Sequence, residues 1–369
     1  GRGAAAERAW RHRFDAADPA IRGEFARRFE GLLPDGWRRA INGVKAKFAA
    51  DAPTLATRQA SGLVLDALAA VVPELVGGSA DLTGSNNTRS KGMVAISPDD
   101  FNGRYIHYGI REHGMAAAMN GMALHGGIIP YGGTFLVFSD YCRPAIRLAA
   151  LMGIRVIFVM THDSIGVGED GPTHQPVEHL AALRAIPNLK VFRPADGVET
   201  AECWELAITD TRQPSLLAFS RQDVPTLRET HTAENLSAQG GYELIGAENA
   251  KVTFLATGTE VSLAVEAAAK LKAEGITARV VSMPCWKLFE EQPVEYRRKV
   301  LGPGTVKVAI EAAARQGWDR YIGSELLSGE AGAFIGMHSF GASGPYKDVY
   351  AKFGITPDAA VAAAKKLLK

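Results

Sequence analysis

Residues 156–176, VIFVMTHDSIGVGEDGPTHQP, constrain the chain most. They open on an unbroken apolar run, Val156-Ile157-Phe158-Val159-Met160, rich in β-branched side chains. Such a run suits a strand only where both faces are covered, as in a parallel sheet with helices on each side. Thr161, His162, Asp163 and Ser164 then arrive together, and a glycine-rich loop carries Glu169, Asp170 and His174. Titratable groups at the carboxyl end of a buried parallel strand stand where open α/β sheets place ligands. Turn chemistry accounts for any one of them, but two His and two Asp on one short loop exceed what a turn needs. Residues 166–171 match G-x-G-x-x-G, yet a dinucleotide site is rejected. Glu169 and Asp170 would face a pyrophosphate with negative charge, and Pro172 breaks the helix that should hold it. His162 and His174 lack the short helical spacing of a zinc motif, and no Cys lies nearby.

The 369 residues allow two to three domains, on a prior of roughly 150 residues each. Lys+Arg 41 against Asp+Glu 40 leaves a net charge of +1, which gives no reason to expect nucleic acid or an anionic membrane as partner. Three widely separated cysteines suggest a reduced, cytoplasmic protein and no disulfide frame. No apolar run reaches the roughly 20 residues of a membrane span.

Residues 1–50 read as amphipathic helices, with Trp10, Phe14, Phe25, Phe29 and Trp37 at helical intervals among many arginines. They suggest a helical tail or linker that packs on something else. Residues 51–230 read as one α/β domain. A helix is expected over 54–75, with Leu55, Leu63, Val64, Leu68 and Val71 on one side. Strands are expected over 76–81, 104–108, 126–138 (with a turn at Gly132-Gly133), 156–160, 191–192 and 215–220. Helices are expected over 110–125, 141–152 and 197–209. Residues 223–241 are polar and read as a linker. Residues 231–369 repeat the alternation, with strands at 251–256, 278–282 and 307–310 and helices at 259–274 and 357–368. The turn at 257–260 opens a helix after a strand, a geometry that holds an anion or merely caps the helix. The fold class is therefore α/β, two domains with mostly parallel sheets flanked by helices.

Several groups suit chemistry. Glu112 lies in the first turn of an apolar helix, where the helix dipole favours it and a ligand nitrogen would equally use it. Phe135, Phe138 and Tyr141 recur every three residues, as core or as an aromatic face for a flat ring. Arg58, Ser85, His162 and Arg221 lie at element ends; separately they read as caps, together as an anion pocket for a phosphorylated substrate. There is no Gly-x-Ser-x-Gly elbow, Cys/His pair, H-E-x-x-H or Walker loop. Proton-transfer and hydroxyl-binding groups without a nucleophile or metal suit an enzyme whose hard step belongs to an organic cofactor.

The segments GGSADLTGSNNT, HYGIREHGM, PYGGTFLVFSDY, THDSIGVGEDGPTHQPVEHLAALRAIPNL, FRPADGVE and FSRQDVP resemble transketolase. The similarity continues through FLATGTEVSLA and ARVVSMPCW and covers residues 51–369. Deoxyxylulose phosphate synthase shares the architecture, but GEDGPTHQP followed by VEHL is closer to transketolase. The resemblance implies a pyrimidine-binding domain, a transketolase C-terminal domain, and thiamine diphosphate held between the subunits of a homodimer. Glu112 would contact the aminopyrimidine N1′, and His174 would assist proton transfer near the cofactor amine. Phe135, Phe138 and Tyr141 would enclose the pyrimidine, and Asp81 would lie near the thiazolium. Arg58, Ser85, His162 and Arg221 would hold the sugar phosphate, and Asp170 would read the donor's hydroxyl stereochemistry. The implied reaction is reversible transfer of a two-carbon ketol unit from a ketose phosphate to an aldose phosphate, as in the pentose phosphate pathway or Calvin cycle.

The family binds the diphosphate and Mg²⁺ through a Gly-Asp-Gly motif and a downstream Asn on an amino-terminal domain. No such motif occurs in this sequence, so no metal ligand is assigned here. The expectation is a transketolase fragment or the carboxyl half of a split one, inactive without a diphosphate-binding partner domain or chain. A related thiamine enzyme with other donors and a non-catalytic, dimer-forming remnant are the alternatives.

Overall fold

The computed structural model describes residues 1–324 and 331–369. Three helices lead in: α1 (Arg2–Ala16), α2 (Pro19–Phe29) and α3 (Trp37–Asp51). Asp18 caps α2 by accepting from Ala20 N at 2.7 Å, and Pro19 sits where its missing N–H is no loss. No residue of α1 is buried. Its Trp10 stacks on Phe14 (5.1 Å), Phe14 meets Phe25 edge-on (5.4 Å), and Phe25 stacks on Phe29 (4.4 Å), which makes a partly exposed aromatic ladder. In contrast, α3 buries Trp37, Ile41, Lys45 and Phe48.

The first α/β domain runs through β1 (Leu55–Ala56), α4 (Thr57–Val71), β2 (Leu75–Ser79), α5 (Thr83–Asn86), β3 (Tyr105–His107), α6 (Glu112–His125), β4 (Ile129–Phe135), α7 (Ser139–Met152), β5 (Ile157–Thr161), α8 (His179–Arg184), β6 (Lys190–Phe192), α9 (Gly197–Thr209), β7 (Ser215–Phe219) and β8 (Asp223–Val224), with β1 and β8 paired in a sheet of their own. Six strands pair in parallel in the order β3-β2-β4-β5-β7-β6. The apolar run of β5 lies inside this sheet. Ile157 and Val159 join one core with Leu65, Leu68 and Trp204, while Phe158 and Met160 join the core on the other face with Met119, Ile146 and Leu183. Alternate side chains point to opposite faces, so a strand covered twice has no polar position.

The second sheet comprises β9 (Tyr242–Ile245), β10 (Val252–Ala256), α10 (Glu260–Ala273), β11 (Ala278–Ser282), α11 (Trp286–Glu290), α12 (Val294–Leu301), β12 (Val306–Ala314), α13 (Asp319–Ile322) and β13 (Ala333–Met337), then helices Tyr346–Lys352 and Pro357–Leu367. Its order is β13-β12-β10-β11-β9, parallel except for the edge strand β9. Val252 and Phe254 face one core and Leu255 the other. The expected α/β class, with parallel sheets between helices, holds.

Three local expectations are corrected. Gly132 and Gly133 form no turn; they lie within β4, buried on both sides. A Cβ on Gly132 would stand 2.4 Å from Met119 Sδ, and one on Gly133 2.6 Å from Thr88 Cγ2, so these glycines let α6 and the 86–88 loop close on the sheet. The helix expected over 54–75 ends at Val71, because Leu75 already belongs to β2; Leu63 is 46% exposed, outside the buried stripe. The polar stretch 223–241 is strapped down. β8 pairs antiparallel with β1, Thr226 donates to Pro53 O at 2.9 Å, and Arg228 grips Glu202 through two bonds (3.1 and 2.7 Å). Burial alone would raise the Glu202 pKa, but Arg228 and the buried Lys45, 2.7 Å away, outweigh it and hold the carboxylate charged.

Gly77 in β2 tests this packing. A Cβ there would stand 2.1 Å from Cζ of Tyr131, a fully buried ring whose hydroxyl donates to Thr88 O at 2.8 Å. Gly77→Ala is expected to lower the unfolding free energy by about 3 kcal/mol. Gly84→Ala, with open space at its Cβ, should change it by less than about 0.5 kcal/mol. Denaturant titration of both variants measures the contrast, and equal midpoints would show that the Tyr131 contact is not limiting.

Candidate active site

β4, β5 and β7 end in register, Phe135 beside Thr161 and Thr161 beside Phe219, and the residues just beyond them build the site. His162 leaves β5 with a left-handed φ of 62°, and Asp81, beyond β2, has the same φ. Non-glycine residues seldom hold that region, at a cost of order 1 kcal/mol or more. The turn at His162 lays its imidazole on Phe135, with centroids 3.6 Å apart and planes at 22°. Phe138 stacks parallel to Phe135 at 5.6 Å, and His174 meets both edge-on, at 5.4 Å from Phe138 and 6.1 Å from Phe135.

A buried polar relay fixes the His162 ring. Ser79 Oγ donates to Asn86 Oδ1 (2.9 Å), Asn86 Nδ2 donates to Thr161 Oγ1 (2.7 Å), and Thr161 Oγ1 lies 2.8 Å from His162 Nδ1. The Thr161 hydroxyl, accepting from Asn86, has its own proton to give to Nδ1. When it does so, the ring proton sits on Nε2.

Arg58, in the first turn of α4, donates Nη1 to Ser85 O at 2.8 Å. Burial, then the Arg221 charge, lowers its pKa. Burial, followed by Arg58, Arg221 and His174, pushes the His162 pKa from 6.5 down to about 3. Two arginines therefore face a neutral imidazole, an electropositive pocket suited to an anion.

Arg58, Ser85, His162 and Arg221 thus form one group, and Phe135, Phe138, His162 and His174 one aromatic wall. Tyr141 stands at its outer edge, 65% exposed and 5.8 Å from Phe138. Asp81 occupies an exposed loop position, and Asp170, also exposed, ends a short 3₁₀ helix (Ile165–Asp170). Glu112 opens α6 and is 8% exposed; after burial itself, its charge helps raise the nearby Cys142 thiol to about 12.

Behind the loop lies a network that the sequence reading missed. Asp163, next to His162, accepts from Arg193 Nε at 2.8 Å. The fully buried Arg193 also donates Nη1 to Thr257 O (2.9 Å), pairs with Glu260 and lies 3.8 Å from Glu311. The turn at 257–260, open in the sequence between an anion site and a helix cap, is thereby occupied. Glu260 and Arg193 fill it, and a Cβ on Gly258 would stand 2.7 Å from the guanidinium. The signal in the sequence was an arginine at the end of an apolar strand, in FRPAD.

An aromatic wall beside a cationic pocket, both at the ends of parallel strands, is an arrangement able to hold a flat ring next to an anion. The pyrimidine-binding domain of transketolase matches residues 53–226, and the transketolase-like C-terminal domain matches residues 240–356. The chain belongs to the transketolase family. It is 56% identical to a transketolase of Cereibacter sphaeroides, over 99% of this chain and 54% of that protein. A solved Pichia stipitis transketolase in complex with sedoheptulose 7-phosphate superposes with a TM-score of 0.90 at 40% identity, covering 100% of this chain and 53% of the other. A split-gene transketolase, solved as an inactive β4 tetramer, gives a TM-score of 0.69 at 28% identity, covering 85% of this chain and 98% of its own. The chain spans about half the length of the full-length relatives it matches.

The depressed His162 pKa sets a pH prediction. The unfolded chain takes up a proton near pH 6.5 that the folded chain refuses until about pH 3. The stability from neutral His162 is therefore whole above pH 6.5 and lost as pH falls through that window. Its ¹⁵N imidazole shifts are expected to remain neutral at pH 5, and His162→Asn should flatten the fall in unfolding free energy between pH 6.5 and 4. A His162 titration near 6.5 would contradict the buried, doubly cation-flanked ring.

Proposed function

We propose that this chain forms the pyrimidine-binding side of a transketolase site and transfers two-carbon ketol units between sugar phosphates in company with a diphosphate-binding domain. The carrying observation is the juxtaposition of the Arg58–His162–Arg221 pocket with the Phe135–Phe138 wall. The wall and the nearly buried first-turn Glu112 fit an aminopyrimidine. The diphosphate and Mg²⁺ are assigned to the partner domain.

Thiamine diphosphate, when bound, supplies the carbon that carries the ketol unit and accommodates its electrons. With the cofactor bound, Glu112 would hold a proton at the ring nitrogen N1′, and Phe135, Phe138 and Tyr141 would orient the ring. His174 would exchange a proton near the exocyclic amine, and Asp81 would lie towards the thiazolium. Arg58, Arg221, Ser85 and the His162 Nε2–H bind the substrate phosphate. Keeping His162 neutral makes it a directional donor and leaves the charge to the arginines. Asp170 accepts from a donor hydroxyl.

A homodimer is supported by α6, whose exposed Gly114, Ala117, Ala118 and Gly121 form one stripe leading to the exposed Leu124. A cytoplasmic setting is supported by three buried, free cysteines, and among the described residues no helix is long and apolar enough to cross a membrane.

The test is reconstitution. With thiamine diphosphate, Mg²⁺, xylulose 5-phosphate and ribose 5-phosphate, the chain alone is expected to be inactive and to gain activity with a separately expressed diphosphate-binding domain. In that complex Glu112→Gln should lower kcat by about 10²–10⁴-fold, whereas Arg58→Ala should chiefly raise KM, by about tenfold. Activity of the chain alone would overturn the division of labour. Inactivity with a well-folded partner would leave a non-catalytic, dimer-forming role.

A further inference from the structure

In the second sheet the chain runs from β10 outward to β11, then crosses back to β12 and on to β13. The connections reverse between β10 and β12, and the crevice outside their carboxyl ends is where doubly wound sheets bind ligands. Here the crevice holds a side chain of the first sheet. Arg193, just past β6, reaches in to Thr257 O and Glu260. Glu260 also accepts from Ala312 N (3.0 Å) and from Tyr350 Oη (2.8 Å), and Glu311 is gripped by both Nη of Arg184 (2.9 and 2.7 Å).

A second nitrogen of this guanidinium, Nε, holds Asp163 at the start of the site loop. The loop is tied to the C-terminal domain at two further points, both in the segment after β13. Ser343 Oγ donates to Glu169 O at 2.6 Å. Gln175 Nε2 lies 3.0 Å from Gly168 O and 2.9 Å from Ala342 O, so one amide joins the loop to the 341–343 segment. His162 and His174 are thus each next to an anchored residue, and Asp170 comes directly after one.

We infer that the C-terminal domain has given its ligand crevice to Arg193 and serves the reaction as a clamp that sets the shape of the 162–175 loop. Arg193, Gln175 and Ser343 are positioning residues. The catalytic part of this inference rests on the transketolase reading; the clamp itself does not.

Two measurements separate them. In the chain alone, amide hydrogen exchange is followed in 163–175 and in the second sheet. Gln175→Met and Ser343→Ala, which leave the buried charges untouched, should speed exchange in 163–175 by about tenfold while β10 and β12 stay protected. In the complex with the diphosphate-binding domain, the same variants should raise KM for the ketose phosphate by about fivefold with kcat nearly unchanged, because the loop carries substrate contacts. Arg193→Lys should retain more of the wild-type KM than Arg193→Met. Unchanged exchange in 163–175 overturns the clamp, as does a fall in kcat at constant KM, the pattern of a smaller folded fraction. If the wild-type complex shows no ketol transfer, the functional reading fails and the exchange result alone decides the clamp.

Discussion

The arrangement of the two sheets depends on one buried cation. Arg193 has no solvent, and an uncompensated charge in such a place costs several kcal/mol. Its partners come from different places: Asp163 from the site loop, Glu260 from the start of α10, and Glu311 at longer range from β12. The first sheet can deliver Arg193 only if the second presents its carboxylates in the right place. Removing one partner of a buried pair typically costs about 3–5 kcal/mol, whereas exposed pairs such as Lys287 with Glu291 contribute little. The charge requirement thus acts as an orientation requirement between domains.

The site uses the rigidity that this provides. His162 sits in a strained backbone region, stacked on Phe135 and bonded to Thr161, so ring, relay and turn must agree for the conformation to persist. Arg58 and Arg221 are held near enough to repel each other, and Asp223 only partly offsets the repulsion felt by Arg58. A pocket with unbalanced positive charge binds an anion strongly because the repulsion is already present in the fold.

Much of this was legible in local pattern. The apolar run of β5, the helix at 197–209 and the strand at 278–282 were recoverable because periodicity and caps are local properties. Gly132-Gly133 misled because a glycine pair signals a turn equally well as a close approach, and the Met119 and Thr88 atoms that need the space come from elsewhere in the chain. The 257–260 turn stayed open between anion site and cap for the same reason: its occupant, Arg193, is 64 residues away from Thr257. Residue types at the site could be read, since His, Arg and Phe at strand ends are unusual. The relay behind His162 and the tie from Gln175 to Ala342 could not, because they consist of ordinary residues made significant by distant partners.

The β1–β8 ribbon has a consequence for how such proteins can be put together. Leu55 pairs with Val224, and Thr57 and Ser220 exchange backbone-to-hydroxyl bonds of 3.0 and 2.7 Å. The polypeptide therefore enters and leaves the whole six-stranded sheet through a single doorway. Segments on either side of that doorway can be lengthened, exchanged or carried by another gene without rethreading the sheet, so the unit is separable in genetic terms while remaining inseparable in chemical ones.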